Sequence, residues 1–154
     1  MIRVRKAGAS DIDAVAEIEE RQFLHPWKRS YLIDELSHDI SYFYVAEDET
    51  AKGVVGYIIF WIIEEMLELH HIAVPGKYKK KGIGKELFLF MLKTAEQNNV
   101  EEIFLEVRKS NAEAVAFYES FDFELVGVRK NYYSSPPGDA LIYKWTARGN
   151  IKVQ

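Results

Sequence analysis

The sequence predicts a single mixed α/β domain, and three observations carry that reading. Strand-like and helix-like segments follow one another in the order β-α-α-β-β-β-α-β-α-β-β, the mark of a layered sheet-and-helix domain. No internal repeat and no linker divides the 154 residues, a length that suits one domain with a real core. The composition is 48% hydrophobic and 29% charged, too rich in large apolar side chains for disorder.

Residues 2 to 6 (IRVRK) alternate like a strand. Ser10-Asp11-Ile12-Asp13 reads as a helix N-cap with an acid three residues later. The helix it opens carries Ile12, Val15, Ile18 and Gln22 or Phe23 on one side. After a break at His25-Pro26-Trp27 a second helix runs to about Ser37. Strands follow at 42 to 47, 53 to 63 and 66 to 74, joined by EDETAKG and by an acidic turn at Glu64-Glu65. From Ile83 the period becomes helical, with Ile83, Leu87, Met91 and Ala95 forming a stripe that lasts to about Asn98. Residues 102 to 108 (EIFLEVR) form a strand, and Ser110-x-x-Glu113 reads as a capping box for a helix through Phe121. Strands at 124 to 131 and 139 to 146 flank the loop SSPPGD.

Composition narrows the function classes. The net charge of −4 gives no global positive field for nucleic acid or an anionic membrane, so neither is an expected partner. The absence of cysteine excludes disulfides, thiolate zinc sites and a cysteine nucleophile, and it fits a reducing cytoplasm. MIRVRKAGAS reads as a strand running into a helix cap, not as a signal core. The longest apolar run, VVGYIIFWII at 54 to 63, is too short to span a bilayer and is rich in β-branched and aromatic residues, so it reads as a buried strand. The expected location is therefore cytoplasmic, with no metal.

One basic cluster stands out in this acidic chain. YKKKGIGKEL, residues 78 to 87, places lysines and two glycines between a strand ending at Val74 and a helix starting near Gly82. Free N–H groups and the positive end of a helix dipole converge at such a turn, and glycine lets a ligand approach the backbone. It is equally readable as a solvated basic turn. It is neither a Walker A loop nor a dinucleotide fingerprint, since GxxxxGK[ST] and the third glycine are both absent.

YKKKGIGKEL resembles the [Q/R]-x-x-G-x-[G/A] motif of the GNAT superfamily of N-acetyltransferases, in which backbone N–H groups hold the pyrophosphate of coenzyme A. LELHHIAV is similar to the strand whose I-A-V backbone pairs with the pantetheine arm. LEVRKSNAEAVAFYESFDF, HPWKRS and RKNYY resemble segments of one branch, the RimI-type ribosomal-protein alanine N-acetyltransferases. The resemblance covers roughly residues 2 to 146, which implies one acetyltransferase domain over 1–147 and a tail over 148–154 outside the match. It also implies the GNAT fold, a mixed sheet of about seven strands flanked by about four helices. Lys79 stands where the family has Gln or Arg, and Asp122 replaces a common glycine.

The resemblance further implies acetyl-CoA as co-substrate. Its contacts would be Ile72, Ala73, Val74, Lys79, Lys80, Lys81, Gly82, Ile83, Gly84, Lys85, Asn111 and Tyr118. Acetyl transfer to an amine needs a neutral amine, oxyanion donors and a proton for the departing thiolate. The residues allow two readings of each candidate. Glu106 is either a rim carboxylate paired with Arg108 or, by resemblance, the general base. Tyr118 shares a helix stripe with Asn111 and is either a core tyrosine or, by resemblance, the acid at the sulfur. The oxyanion donor would be a backbone N–H near Val74. An α-amino group of pKa about 7.8 is roughly a tenth neutral at pH 7, against less than about one part in a thousand for lysine. A single modest base therefore suits a protein N-terminus.

Glu68 is the second choice for base. His70 and His71, adjacent on a strand, are expected to face opposite ways and so not to chelate one ion. Trp27, Tyr132 and Tyr133 are core aromatics or, by resemblance, substrate contacts. The first reading is an N-acetyltransferase for a protein N-terminus, a ribosomal protein by resemblance. The alternatives are an acetyltransferase for a small amine, which Glu64, Glu65 and Glu68 would suit, and a non-catalytic acyl-CoA-binding module.

Overall fold

The computed structural model describes residues 1–147, so the expected tail over 148–154 lies outside the described residues. The elements are β1 (Ile2–Lys6), α1 (Ile12–Gln22), α2 (Arg29–Glu35), β2 (Ser41–Asp48), β3 (Gly53–Ile63), β4 (Met66–Ala73) and α3 (Ile83–Gln97). They continue with β5 (Glu102–Arg108), α4 (Ala112–Glu119), β6 (Glu124–Ser134) and β7 (Pro137–Thr146). The seven strands form one mixed sheet in the order β1-β2-β3-β4-β5-β7-β6. Every neighbouring pair is antiparallel except β4 and β5.

The two sheet faces are covered by different helices. The α1 stripe of Ile12, Val15 and Ile18 packs with Phe43, Val45, Tyr57 and Ile59. The α3 stripe of Ile83, Leu87, Met91 and Ala95 is buried as expected, with Phe88, against Ile58, Phe60, Leu67 and Ile103 on the other face. Alternation along β3 explains this division, since Tyr57 and Ile59 go one way and Ile58 and Phe60 the other. Gly56 lets α3 approach: a Cβ there would lie 3.1 Å from the Ala73 carbonyl and 3.2 Å from Ile83 and Leu87.

Several local expectations shift. The first helical turn begins at Gly8 rather than Ser10, because Asp11 reaches back to the Gly8 N–H at 2.8 Å and closes a 3-10 turn leading into α1. The cap of α4 is Asn111 rather than Ser110, its Oδ1 accepting the Ala114 N–H at 3.1 Å. The SSPPGD loop is mostly strand, since Ser134 already pairs with Pro137 and only Ser135 and Pro136 turn the chain. Asp122 has φ +67, so the position where the family has glycine is a left-handed one.

The buried Asp11 carboxylate also accepts from Arg5 at 2.8 and 2.9 Å, and Arg5 reaches Glu47 at 3.3 Å. The Arg5 hydrogen bonds outweigh desolvation and hold Asp11 below the usual carboxylate range. Arg5→Leu leaves this carboxylate buried without its cation and is expected to cost about 2–4 kcal/mol, read by urea denaturation. A lowered folded pKa stabilises above the unfolded value and is lost as pH falls. The gap between variant and wild type should therefore narrow on acidification.

No helix among the described residues is long and apolar enough to cross a membrane.

Candidate active site

The site grows from a fault in the sheet. β4 and β5 pair only at Met66–Glu102, Leu67–Ile103 and Glu68–Phe104. Beyond Glu68 that edge of β4 has no strand partner among the described residues, although β4 runs on to Ala73 and β5 to Arg108. Ile72, Ala73 and the following Val74 thus border an opening between two parallel strands.

At the end of that opening lies the basic turn. A short 3-10 turn over Gly76–Tyr78 leads to Lys80 at φ +64 and Gly82 at φ +81, where α3 starts. No side chain among the described residues caps α3 at Gly82, so its first N–H groups, from Ile83, Gly84 and Lys85, have no acceptor there. A Cβ at Gly82 would meet nothing within 4 Å, and one at Gly84 only Val74 at 3.8 Å. The ammonium groups of Lys79, Lys80, Lys81 and Lys85 pair with no carboxylate among the described residues. Lys81 lies over the Tyr78 ring, 5.6 Å from its centroid. Uncapped N–H donors, open space and unpaired lysines fit a phosphate-bearing ligand.

Glu106 and Tyr118 approach from opposite faces of β5. Glu106 points away from Leu105 and Val107, which are buried in the core that also contains Tyr118. Its Oε1 accepts from Arg129 Nε at 2.9 Å, so the expected partner Arg108 is replaced by a residue of β6. Arg108 instead donates to the Pro136 carbonyl at 3.0 Å and stacks 3.9 Å from the Tyr133 ring centroid. Tyr118 is 8% exposed and packs with Phe88, Phe117 and Phe123. Its hydroxyl makes no hydrogen bond among the described residues. Burial pushes its pKa up to about 12. Asn111 commits Oδ1 to capping α4, which leaves its amide nitrogen for other contacts.

Two bulges reshape β4 and β6 near this opening. β4 shifts register between its pairings of His71 with Ile59 and Leu69 with Phe60, leaving His70 as an extra residue. The bulge removes the expected alternation of His70 and His71, and both rings meet Trp27, at 6.3 and 4.2 Å. His70 also lies 4.2 Å from Trp61, with its Nε2 buried and without a hydrogen-bond partner among the described residues. Desolvation lowers the His70 pKa against the charges of Glu68, Glu35 and Glu106. No cluster of three potential metal ligands occurs among the described residues.

The second bulge lies in β6 between Arg129 and Tyr133, where Asn131 has φ +53 and its N–H bonds Asp139 at 2.8 Å. Tyr132 is exposed and Tyr133 half-buried, so neither is a core aromatic; Trp27 is half-buried against the histidines. Glu68 is half-buried, with no hydrogen-bond or ion-pair partner among the described residues.

Sequence reasoning passed over Glu19, Tyr57, Glu35, Trp61 and the pairing of Arg129. Glu35 accepts the Trp61 indole N–H and the Ser41 hydroxyl, each at 2.7 Å. The available signal was a carboxylate, Glu19, set within the buried stripe of α1.

Comparison with known proteins identifies the family. The family model "Acetyltransferase (GNAT) family" matches residues 12–123. A Bacillus subtilis protein assigned as a ribosomal protein bS18-alanine N-acetyltransferase is 33% identical over 140 residues, covering 90% of this chain and 91% of that protein. The crystal structure of the ribosomal-protein-S18-alanine N-acetyltransferase from Escherichia coli superposes with a TM-score of 0.87 at 27% identity, over 95% of this chain and 94% of that one. Arabidopsis thaliana NAA60, solved in complex with acetyl-CoA, shares the fold with a TM-score of 0.87 at 16% identity, over 97% of this chain and 100% of its own. The chain belongs to the GNAT acetyltransferase family and is an N-acetyltransferase of its RimI-type branch.

Proposed function

We propose that the chain transfers an acetyl group from acetyl-CoA to the N-terminal α-amino group of a protein, with a ribosomal protein beginning with alanine as acceptor. One observation carries the mechanism: strands β4 and β5 part beyond Glu68, between a carboxylate on one face and a buried phenol on the other. In an intact sheet Glu106 and Tyr118 could not serve one reaction. The gap is what lets a bound thioester and an incoming amine lie between them.

Acetyl-CoA supplies an acyl group on a good leaving thiolate. The free N–H groups of Ile83, Gly84 and Lys85, with Lys79 to Lys81 in support, are placed to hold its phosphates. The unpaired edge of β4 at Ile72, Ala73 and Val74 offers backbone groups to the extended arm and a donor to the carbonyl oxygen. Asn111 contributes its side-chain amide. Glu106 takes the ammonium proton, directly or through water, with Arg129 fixing one carboxylate oxygen. The Tyr118 hydroxyl donates its proton to the departing sulfur, and the second proton shed by the nitrogen as the amide forms restores the phenol through solvent. Trp27, Glu68, Tyr132 and Tyr133 line the acceptor side.

The acid has a pH signature. A tyrosine raised to about 12 stays protonated well above its ordinary value of about 10. The kcat profile should therefore rise as the amine is deprotonated and show no descending limb below about pH 10.5. A fall near pH 8 would assign the acid to another group.

Glu68, without a partner among the described residues, and Glu106 both act on His70, which keeps a small cationic amine as second reading. Thiol release over short peptides with different first residues, beside spermidine, separates the two. Acetylation of alanine-first peptides is expected; turnover of spermidine alone would overturn the protein reading.

A further inference from the structure

Glu19 holds together parts of the molecule that lie far apart in sequence. It is wholly buried on α1, in the apolar stripe of Ile12, Val15 and Ile18. Its Oε1 accepts from His71 Nδ1 at 2.8 Å and from the Tyr57 hydroxyl. Its Oε2 accepts from the backbone N–H of Trp27 at 2.8 Å. An ionised carboxylate can only accept, so the His71 proton sits on Nδ1. Burial alone would raise the Glu19 pKa, but the hydrogen bonds from His71, Tyr57 and the Trp27 N–H outweigh it and hold the group ionised.

Packing does not explain this residue. Removing a carboxylate from water costs several kcal/mol, and a leucine in the same stripe would fill the space without that cost. Hydrogen bonding does something that leucine could not. Trp27 lies in the connection between α1 and α2, which has no strand or helix of its own. The Glu19 bond pins its main chain, while His71, fixed by the other oxygen, lies 4.2 Å from its indole ring. Phe23 closes the same imidazole from another side at 4.8 Å. The segment carrying Trp27 is thus tied to β4 only two residues before Ala73.

We infer that Glu19 is a positioning residue, which through His71 and the Trp27 main chain holds the acceptor-side wall against the strand that borders the acyl site. The inference rests on the reading of Trp27 as an acceptor contact. It predicts a division between the two substrates: the acceptor should lose affinity, whereas the coenzyme turn, built from other residues, should not.

The test measures both KM values and kcat for Glu19→Ala, Glu19→Gln and His71→Phe, using whichever amine the wild type acetylates. A wrong acceptor class would then defeat the protein-N-terminus reading and leave this test intact. Releasing one ordered segment should raise the acceptor KM about tenfold in Glu19→Ala, with the acetyl-CoA KM within about twofold. Glu19→Gln keeps the shape, and with its carbonyl turned to Trp27 its amide can donate to Tyr57 and His71. It should restore the acceptor KM to within about threefold of wild type. His71→Phe keeps a ring beside Trp27 but loses Nδ1, and should raise the acceptor KM several-fold; it carries the test if Glu19→Ala does not fold. An unchanged acceptor KM in a folded Glu19→Ala or His71→Phe protein would overturn the inference. So would a parallel loss of affinity for both substrates, which would make the network structural only.

Discussion

Tyr118→Phe is expected to lower kcat about 100- to 1,000-fold while leaving acetyl-CoA affinity within about twofold. The substitution removes one oxygen and nothing else. The ring stays packed against Phe88, Phe117 and Phe123, and no protein hydrogen bond is lost because the hydroxyl makes none among the described residues. A tyrosine in an apolar cluster whose hydroxyl bonds to nothing among the described residues is an odd choice for packing alone, where phenylalanine would fill the same space. Burial pushes its pKa up to about 12, which suits the proposed role of acid to a leaving thiolate. Stability should be unchanged or slightly higher in the variant, measured by thermal unfolding. Turnover equal to wild type would return Tyr118 to the role of a packing residue.

Gly84→Leu should abolish coenzyme binding, weakening it about 100-fold or more, without weakening the fold. A Cβ at Gly84 makes only an ordinary contact with Val74 at 3.8 Å, so the protein has room for a side chain. Replacing glycine inside the first turn of α3 with a strong helix former should even stabilise the helix by about 0.5–1 kcal/mol. A phosphate resting on the N–H groups of Ile83, Gly84 and Lys85 would instead meet the new side chain directly. Titration calorimetry with acetyl-CoA beside urea unfolding separates these effects. Neutralising Lys79, Lys80 and Lys81 should cost less affinity, and the loss should shrink as salt rises. Retained binding in Gly84→Leu would move the phosphates away from this turn.

Local patterns with a single physical cause were legible from residues alone. The α3 stripe of Ile83, Leu87, Met91 and Ala95 was readable because a helix buries one face at a fixed period. The run at 53 to 63 was readable as a strand because both faces of β3 are covered. The uncapped glycine turn followed from its place between a strand and a helix. Features set by register were not readable. The bulge at His70 turned two histidines expected on opposite faces toward one tryptophan, and no periodicity announces a bulge. Glu106 lay opposite Arg129 rather than Arg108 because β6 folds back beside β7, a long-range pairing invisible in local spacing. Glu19 drew no notice because a lone glutamate on a helix carries no local signal, although it occupies the buried stripe. The cap of α4 slipped from Ser110 to Asn111, one residue, which is the usual uncertainty of a helix boundary.

The proposed acceptor is a protein N-terminus. The most direct measurement locates the acetyl group on an alanine-first peptide that also carries an internal lysine, by fragmentation mass spectrometry after incubation with acetyl-CoA. One acetyl group on the α-amine is predicted, with none on the lysine and no turnover of the same peptide with its N-terminus blocked. An acetyl group on the lysine ε-amine, or on the blocked peptide, would contradict the account.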